Sequence, residues 1–561
     1  MNRDKTRKHK IVLLIVLGIF FSLLAYIYPP VFETNDDRTM RQIISGMYGD
    51  EYSAYSIFMG YPLSFVLSKL YILIPNVSWY GLFFCACIIV SLWIVLSSIL
   101  IDLKKEKDIR TWKSVLIAIV ILIIYINCFI VQQFTVIAAI LSGTAIFKYL
   151  KRDSYIGIGI LCFLAYEVRK DVFLMAIPFF LIVALWNDYG NKKNVKGLLK
   201  GILPIMTVVI GITIVGMGAD KVAYSSDSWK EYQEYNSVRS DLYDNYYFWG
   251  NKEYEKKCKQ SGISDRDYYV TNTYSLLLDS DVTTEKISLI RNAVAENKRD
   301  NFIIKSVKVI YYLIRNCFIN YWKYTLFMIF LDIILLIGLR RESKRKVILW
   351  LLSIVGKYLI ISYLVWMARL PERVFLSIFL IVLLLDIPIL FETINKSNHK
   401  IKNYCIWVIL GASLLMLISR IGFYSNIRTA NCDYNEVNKY CLSHSDRTYV
   451  LAIDELCNSS SDVLCNSNEK TVYLEPWLTN SPLINNYLKK YECRDFGELL
   501  LKKSIYYVVH KDYNITNMIN YMEHRFGNIS CERVDKINEN YYVYKFTIQN
   551  NGKNTISKEE N

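Results

Sequence analysis

The sequence contains few histidines and none of the short motifs that accompany the commonest enzyme chemistries. All five histidines lie outside its long apolar runs: His9, His399, His444, His510 and His524. The usual histidine-based metal sites and proton relays within a membrane are therefore excluded. A glycine-rich phosphate loop, a Rossmann fingerprint, an HExxH sequence and a GxSxG sequence are also missing. Nothing in the sequence supports ATP-driven transport or redox chemistry.

Two further absences concern processing and metal binding. The first apolar run ends at residues 25–30 without a small-x-small cleavage site, so we expect a retained first span and not a signal peptide. No two cysteines have CxxC spacing, which argues against a zinc site.

Apolar surface and positive charge are what the sequence has in abundance. The 561 residues are 53% hydrophobic with a mean hydropathy of +0.22, and 66 Lys and Arg against 51 Asp and Glu give a net charge of +15. A positive mean hydropathy at this length argues against a soluble globular protein. The basic residues lie mostly in short loops between apolar runs, where membrane topology is the usual cause, so nucleic-acid binding is rejected. The sequence predicts a polytopic α-helical membrane protein.

About eleven apolar runs approach the roughly 20 residues that a helix needs to cross a bilayer. They cover approximately residues 11–28, 79–101, 114–131, 134–149, 155–166, 172–186, 201–218, 322–339, 347–366, 374–391 and 404–420. The basic N-terminus is predicted to be cytoplasmic, and alternation then requires every second turn to be basic. The basic turns are found where expected, at 104–107, 151–152, 192–196, 340–346 and 396–402. The odd number of spans places the C-terminus outside the cell membrane.

Two other apolar runs, 57–75 and 301–320, contain charged residues and are predicted to be helices at the outer interface or packed against the bundle. The predicted domains follow from these assignments. They are a membrane domain at 1–421, which includes outer loops at 29–78 and 219–321, an extracytoplasmic α/β domain at 422–548, and a disordered tail at 549–561.

The extracytoplasmic domain is predicted from alternating strand-like and helical segments. Strands are expected at 449–453, 471–474, 505–509 and 541–546, with a helix at 515–526. The domain also holds six cysteines on the side of the membrane where disulfides persist, which predicts one to three bridges, or free thiols in a reducing habitat. The six are Cys432, Cys441, Cys457, Cys465, Cys493 and Cys531.

An acidic pair follows the first span. The first outer loop contains Glu33-Thr34-Asn35-Asp36-Asp37-Arg38, close to the membrane surface. One carboxylate of the pair, Asp36 or Asp37, could accept a proton from a hydroxyl while its neighbour binds or orients a metal ion. The alternative for an isolated Asp-Asp pair is a solvated loop.

Three other outer turns carry polar residues. They are Gln132-Gln133, Glu167-Val168-Arg169-Lys170-Asp171 and Arg369-Leu370-Pro371-Glu372-Arg373. Cations on the outer face run against the positive-inside bias, and a bound phosphate would explain them. The predicted phosphate-binding residues are Arg169, Lys170, Arg369 and Arg373, supported by Arg38, Glu167, Asp171 and Glu372. The alternatives are snorkelling to headgroups, pairing with Glu372, and a mutual ion-pair network within 167–171.

The long outer loop is rich in aromatic residues. A helix over 226–246 would place Trp229, Tyr232, Tyr235 and Arg239 on neighbouring positions, where they could stack on sugar rings. The alternative is a helix in the headgroup zone, where Trp and Tyr are enriched.

This arrangement resembles the GT-C superfamily of integral-membrane glycosyltransferases, which use polyprenyl-phosphate-linked sugars. Asn35-Asp36-Asp37-Arg38 looks like the acidic motif in the first outer loop of that superfamily, and Gly60-Tyr61-Pro62-Leu63 occupies the place of its Pro-containing segment. A second proline is missing at Leu63. The resemblance implies that Asp36 or Asp37 acts as a base on the acceptor hydroxyl, and that outer Arg and Lys residues hold the lipid phosphate.

The expected function is therefore transfer of a sugar from a polyprenyl-phosphate donor to a cell-envelope glycan, lipid or protein, with membrane lipids as surroundings. No cofactor is required with certainty, and a divalent metal is an option. Three alternatives remain: an envelope polysaccharide polymerase, a transporter or flippase of a lipid-linked or anionic solute, and a non-catalytic envelope protein. A transporter predicts ionisable residues inside spans, of which Lys357 is the clearest.

Overall fold

The computed structural model describes residues 3–48, 51–105, 111–188, 195–246, 248, 254–295, 302–340, 342–393, 400–444, 446–452, 462–464 and 471–549. Up to residue 223, the described residues form nine helices and two short strands. The helices are α1 (Arg3–Ile27), α2 (Asn35–Ser45), α3 (Tyr61–Leu73), α4 (Trp79–Lys105), α5 (Thr111–Ile130), α6 (Phe134–Leu150), α7 (Tyr155–Val168), α8 (Lys170–Asp188) and α9 (Val195–Ala223). The strands are β1 (Val31–Phe32) and β2 (Val131–Gln132).

The predicted long loop that follows is also helical. Its helices are α10 (Asp227–Tyr246), α11 (Glu255–Gln260), α12 (Asp265–Asn272), α13 (Thr284–Ala295) and α14 (Phe302–Arg315). Longer apolar helices come next: α15 (Trp322–Leu339), α16 (Lys344–Trp366), α17 (Glu372–Thr393) and α18 (Lys400–Ser443). Because α17 is almost completely buried, it forms the centre of the bundle, whereas α1 exposes most of its apolar surface and lies at the edge.

The polytopic helical architecture predicted from the sequence is confirmed. Nine of the described helices contain a segment long and apolar enough to cross a membrane: α1, α4, α5, α8, α9, α15, α16, α17 and α18. Two predicted spans, 134–149 and 155–166, correspond to α6 and α7, which have 17 and 14 residues and are shorter than the roughly 20 that a full crossing needs. The total of eleven spans stays a prediction.

The two apolar runs predicted to be interfacial form helices that are shorter than the runs themselves. The first, predicted at 57–75, is the 13-residue α3. The second, predicted at 301–320, is α14 followed by one π-helical turn at Asn316–Asn320. Exposed Val307, Ile310 and Ile314 give α14 an outward apolar face, as expected for a helix at a membrane surface.

Helix α18 is the longest element, with 44 residues. At about 1.5 Å per residue it extends roughly 66 Å. The domain boundary predicted between residues 421 and 422 falls inside this continuous helix, so the last apolar span continues as helix to Ser443, shortly before the first strand of the C-terminal sheet at Thr448. Val437 and Cys441, near the end of α18, are buried against the sheet residues Tyr449 and Val543.

The C-terminal region is an α/β unit, as predicted. Its strands are β3 (Thr448–Leu451), β4 (Thr471–Tyr473), β5 (Ile505–His510), β6 (Ile529–Lys536) and β7 (Tyr541–Ile548), and its helices are α19 (Pro482–Lys489), α20 (Phe496–Leu500) and α21 (Ile515–Phe526). The sheet order is β4-β3-β5-β7-β6, with β3 parallel to β4 and β5, and β7 antiparallel to β5 and β6. Strand β6 was not predicted because, as a mostly exposed edge strand, it carries charged residues instead of an apolar alternation.

The structure limits the predicted number of disulfides in this domain. Cys432, Cys441, Cys493 and Cys531 take part in no disulfide, which leaves at most one of the predicted bridges, between Cys457 and Cys465. Cys457 and Cys465 lie outside the described residues, as does the predicted disordered tail from residue 550 onward.

The predicted long loop and the C-terminal α/β unit share one apolar core. Arg525 of α21 makes an ion pair with Asp495 at 2.5 Å, and Asp495 accepts hydrogen bonds from the backbone and hydroxyl of Ser280. Tyr521 of α21 donates to the carbonyl of Leu278 at 3.2 Å. These contacts join α10–α13 and the sheet into a single layer next to the helix bundle.

Candidate active site

The first loop is attached to the turn after α5. Strands β1 and β2 pair in parallel, and the Glu33 amide donates to the Gln132 carbonyl at 2.8 Å. Arg420 of α18 holds this junction from the side, since its guanidinium pairs with Glu33 at 2.5 Å and donates to the Val131 carbonyl at 3.2 Å. The pairing brings the acidic motif next to the start of α6. This end of the bundle carries the first loop and the turns before α6, α8 and α17.

The Pro-containing segment is held by the turn before α8. The Gly60 amide donates to the Glu167 carbonyl at 2.6 Å, and the Leu63 amide donates to the Glu167 carboxylate at 3.1 Å. A Cβ atom at Gly60 would overlap the Glu167 carboxylate, so any larger residue there would displace this side chain. A second carboxylate, Asp220 of α9, accepts from the Tyr61 amide at 2.9 Å. Glu167, predicted as a supporting residue, therefore caps the N-terminus of α3.

Asp37 is completely buried and fully hydrogen bonded. Its carboxylate accepts from the Tyr80 hydroxyl at 3.0 Å, from the Phe134 amide at 3.1 Å and from the Thr34 hydroxyl at 3.3 Å. Burial raises its pKa well above the usual range of aspartate, although the bond from Tyr80 opposes the shift. Of the two candidate bases, Asp37 thus has the surroundings of a positioning residue, which fixes α2 against α4 and α6.

Asp36 has the opposite surroundings. Its side chain is half-buried and accepts no hydrogen bond from the residues that the structure describes. Burial raises its pKa above the usual range, and the charges of Arg373, Arg169 and Arg239 oppose that shift, in this order of strength. Asp36 is therefore a carboxylate with free lone pairs in a field of three arginines.

The three arginines come from three separate segments. Arg169, at the end of α7, pairs with Asp171 at 3.2 Å and stacks over the ring of Phe134 at 5.2 Å. Arg239 of α10 is only 6% exposed and donates to the Tyr274 hydroxyl at 3.1 Å and to Asn236 at 2.8 Å. Arg373, in the first turn of α17, makes no side-chain hydrogen bond to the described residues. Asp171 therefore orients Arg169, and Arg373 has its donors available for an anion.

Arg38, predicted as a supporting residue, points away from Asp36 toward the sheet. It pairs with Glu475 at 3.3 Å, where both side chains are at most 2% exposed, and its guanidinium lies 3.8 Å from the centre of the Tyr473 ring. Glu475 also accepts from Thr39 and from Asn35, each at 2.9 Å. Sequence reasoning missed Glu475 because more than 430 residues separate it from α2, and no local signal marks it.

The other predicted phosphate-binding and supporting residues lie further out. Arg369 forms an exposed ion pair with Asp244. Lys170 is exposed, and its charge acts on Asp220. Glu372 accepts a hydrogen bond from Tyr324 at 2.9 Å. The structure therefore brings Arg169 and Arg373 to Asp36 and leaves the other two cations at the periphery.

The aromatic residues predicted to contact sugar lie on α10, as expected, but they are buried. Trp229 stacks on Tyr55 with ring centres 4.6 Å apart. Tyr232 donates to the Trp477 carbonyl at 2.7 Å, and Tyr235 belongs to the core shared with the sheet. These three side chains attach α10 to its neighbours and present no open face to a ligand. Arg239 is the residue of this group that reaches the Asp36 site.

A divalent metal was one option for this site. Within the described part of the chain, no three His, Cys, Asp or Glu side chains come close enough to hold a metal ion. The cations whose charges act on Asp36 are guanidinium groups, which match an anionic ligand.

Fold and site together define a membrane-embedded, polytopic helical protein with an α/β unit covering a cluster of charged side chains at one end of the bundle. Comparisons of the chain with protein-family models, with curated proteins and with solved structures gave no significant match. The function is therefore inferred from the site itself.

Proposed function

We propose that the chain is a membrane glycosyltransferase that moves a sugar from a polyprenyl-phosphate-linked donor to a cell-envelope acceptor on the extracytoplasmic face. One observation carries this proposal. Asp36 has an unused carboxylate on which the charges of Arg373, Arg169 and Arg239 act, so a proton acceptor and candidate phosphate-binding groups lie within electrostatic reach of one another. The acidic motif of the first loop, which resembles that of the GT-C superfamily, supports the same conclusion.

In the proposed reaction, Asp36 takes the proton of an acceptor hydroxyl while the oxygen of that hydroxyl attacks the anomeric carbon of the donor sugar. The bond between that carbon and the phosphate oxygen breaks, and the lipid phosphate leaves with the electron pair. Arg373 and Arg169 stabilise the negative charge that develops on the leaving oxygen. The products are the glycosylated acceptor, a polyprenyl phosphate and a protonated Asp36.

The electrostatics of the site suit these roles. A general base works best when its pKa lies closer to the working pH than that of an ordinary aspartate, and burial moves the pKa of Asp36 in that direction. Asp37 and Glu167 act through position: Asp37 holds α2 against the start of α6, and Glu167 holds the Pro-containing segment.

The test is transfer by the purified full-length protein in lipid nanodiscs, using undecaprenyl phosphate that carries radiolabelled hexoses or pentoses, each tested separately with envelope extract as acceptor. We expect Asp36→Asn and Arg373→Ala to lose transfer. Asp227→Asn makes the same chemical change on a side chain that is 92% exposed, and we expect it to keep wild-type transfer. Wild-type activity in the Asp36→Asn protein would remove Asp36 as the base.

A second candidate function is a transporter or flippase of a lipid-linked or anionic solute. The observation that favours it is a group of ionisable side chains inside the bundle, on α15, α16 and α17. Flux of a fluorescent polyprenyl-phosphate analogue across proteoliposomes, with no sugar transfer under the same conditions, would support this candidate over the transferase.

A further inference from the structure

Three ionisable residues lie together inside the helix bundle, away from the Asp36 site. Lys357 of α16 is fully buried and donates to the Asp332 carboxylate of α15 at 3.0 Å. Asp386 of α17 is 1% exposed, and its charge interacts with both Asp332 and Lys357. We call these three residues the bundle cluster.

The bundle cluster lies in the middle of the apolar helices. At about 1.5 Å per residue, Asp332 is roughly 15 Å from the start of α15 at Trp322, and Lys357 is roughly 14 Å from the end of α16 at Trp366. Asp386 is roughly 20 Å along α17 from Arg373. Toward the other end of the bundle, Asp332 and Asp386 are each roughly 10 Å from the last residues of α15 and α17, Leu339 and Thr393. The cluster therefore lies inside an apolar layer about 30 Å thick.

The charges in the bundle cluster do not balance if all three groups are ionised. Lys357 has one positive charge, and its ammonium is bound to Asp332. A charged Asp386 would then be a second anion close to Asp332, and a buried charge without a counter-ion is strongly unfavourable. The Asp386 Oδ1 atom is buried and has no hydrogen-bond partner among the described residues. The cluster therefore lacks one positive charge at this carboxylate.

We propose that the bundle cluster is an intramembrane proton-binding site in which the two carboxylates hold one proton between them, mainly on Asp386. With Lys357 charged and Asp332 ionised, a protonated Asp386 makes the cluster neutral. A sodium ion has the same charge, but it needs several oxygen ligands, and the described residues place no third His, Cys, Asp or Glu beside the two carboxylates. The proton is therefore the favoured cation.

The helices around Asp386 bring few other ionisable groups. Helices α6, α8, α15 and α16 all pack on α17. Among the described residues, the charged groups that act on Asp386 are Asp332 and Lys357, and the Tyr358 hydroxyl lies beside Asp332. This proposal does not depend on the transferase function.

The test counts protonated carboxyl groups by infrared difference spectroscopy on the full-length protein in nanodiscs at neutral pH. Protonated carboxyls are recognised by a carbonyl band that shifts in heavy water. Relative to wild type, we expect Asp386→Asn to lose the band of one carboxyl, because the Lys357–Asp332 ion pair remains. Asp332→Asn should also lose one, because Asp386 then ionises against Lys357. Lys357→Met should gain one, because both carboxylates then bind a proton.

Two controls make the count decisive. Asp227→Asn changes an exposed carboxylate and should leave the band unchanged. The double variant Asp332→Asn/Lys357→Met removes one charge of each sign, so it should fold and keep the wild-type band through Asp386. An unchanged band in Asp386→Asn overturns the proposal. A wild-type band that disappears when sodium chloride replaces choline chloride identifies a sodium site and overturns it as well.

Discussion

The two sides of α2 treat charge in opposite ways. On one side, Asp37 accepts three hydrogen bonds and Arg38 pairs with the buried Glu475, so every charge has a protein partner. On the other side, Asp36 accepts no hydrogen bond from the described residues and faces Arg169, Arg239 and Arg373. We call these the closed side and the open side. Asp36 and Asp37 are neighbours of the same residue type, yet only Asp36 has lone pairs that no described protein group uses. Unused hydrogen-bonding capacity therefore distinguishes a carboxylate that is available for chemistry from one that has a structural role.

The largest effect should come from Asp36→Asn on the open side. Removal of a general base typically lowers a rate by about 10²–10⁴-fold, and the amide cannot take the proton. Because no protein bond is lost, the thermal unfolding temperature should stay near that of wild type. Measuring kcat and the unfolding temperature on one preparation tests both expectations, the lower rate and the unchanged stability. A large fall in the unfolding temperature would contradict the assignment of Asp36 to the open side.

The next effect should be on stability, from Glu475→Ala on the closed side. The change removes the carboxylate that pairs with the buried Arg38 guanidinium, and breaking one half of a buried ion pair costs about 3–5 kcal/mol. The free energy of unfolding can be followed by limited proteolysis of the C-terminal α/β unit in denaturant.

The matched control for that variant is Glu51→Ala. It breaks an ion pair between the same two regions, Glu51–Lys490 at 3.2 Å, but this pair is exposed. Exposed pairs contribute at most about 1 kcal/mol. Equal losses from the two variants would mean that burial does not set the strength of the closed side.

A smaller effect on stability is expected from Gly60→Ala, in the Pro-containing segment at the start of α3. The new Cβ would overlap the Glu167 carboxylate, which must move, and such overpacking costs about 1–3 kcal/mol. The start of α3 should shift and lower both stability and transfer. The control is Gly411→Ala inside α18, where the added methyl group meets open space, so it should not destabilise the protein. Tryptophan fluorescence during denaturation measures the difference.

The smallest effect is the pH dependence of transfer. The pKa of Asp36 is raised by burial, and the base must be ionised to act. The rate should therefore rise by up to about tenfold per pH unit below the raised pKa and become constant above it. Asp37 also has a raised pKa, so its contribution to stability has the opposite slope and falls as pH increases. A rate profile that falls with increasing pH in the acidic range would exclude Asp36 as the base.

Sequence reasoning predicted the convergence of Asp36, Arg169 and Arg373. It could do so because successive turns lie on alternating sides of the membrane. Residues in turns on the same side therefore lie at the same end of the bundle. It could not choose between Asp36 and Asp37, because the difference depends on Tyr80 and on the Phe134 amide, which lie about 40 and 100 residues away.

Other features were open to sequence reasoning but were missed. Asp332 and Asp386 lie in the predicted spans 322–339 and 374–391, where any acidic residue is unusual. Their partnership with Lys357 could not be predicted, because it depends on which faces of α15, α16 and α17 meet. The pairing of Glu475 with Arg38 is of the same kind, since it depends on how the sheet packs on α2.

The unbroken helix α18 has a consequence for insertion and deletion. Each residue of an α-helix adds about 1.5 Å of length and about 100° of rotation. One residue inserted between Ile421 and Val437 would therefore turn the sheet by more than a quarter of a circle about the helix axis and move Glu475 away from Arg38. The helix thus fixes the rotation of the sheet about the helix axis as well as its distance from the membrane. Only insertions or deletions of whole helical turns preserve that rotation.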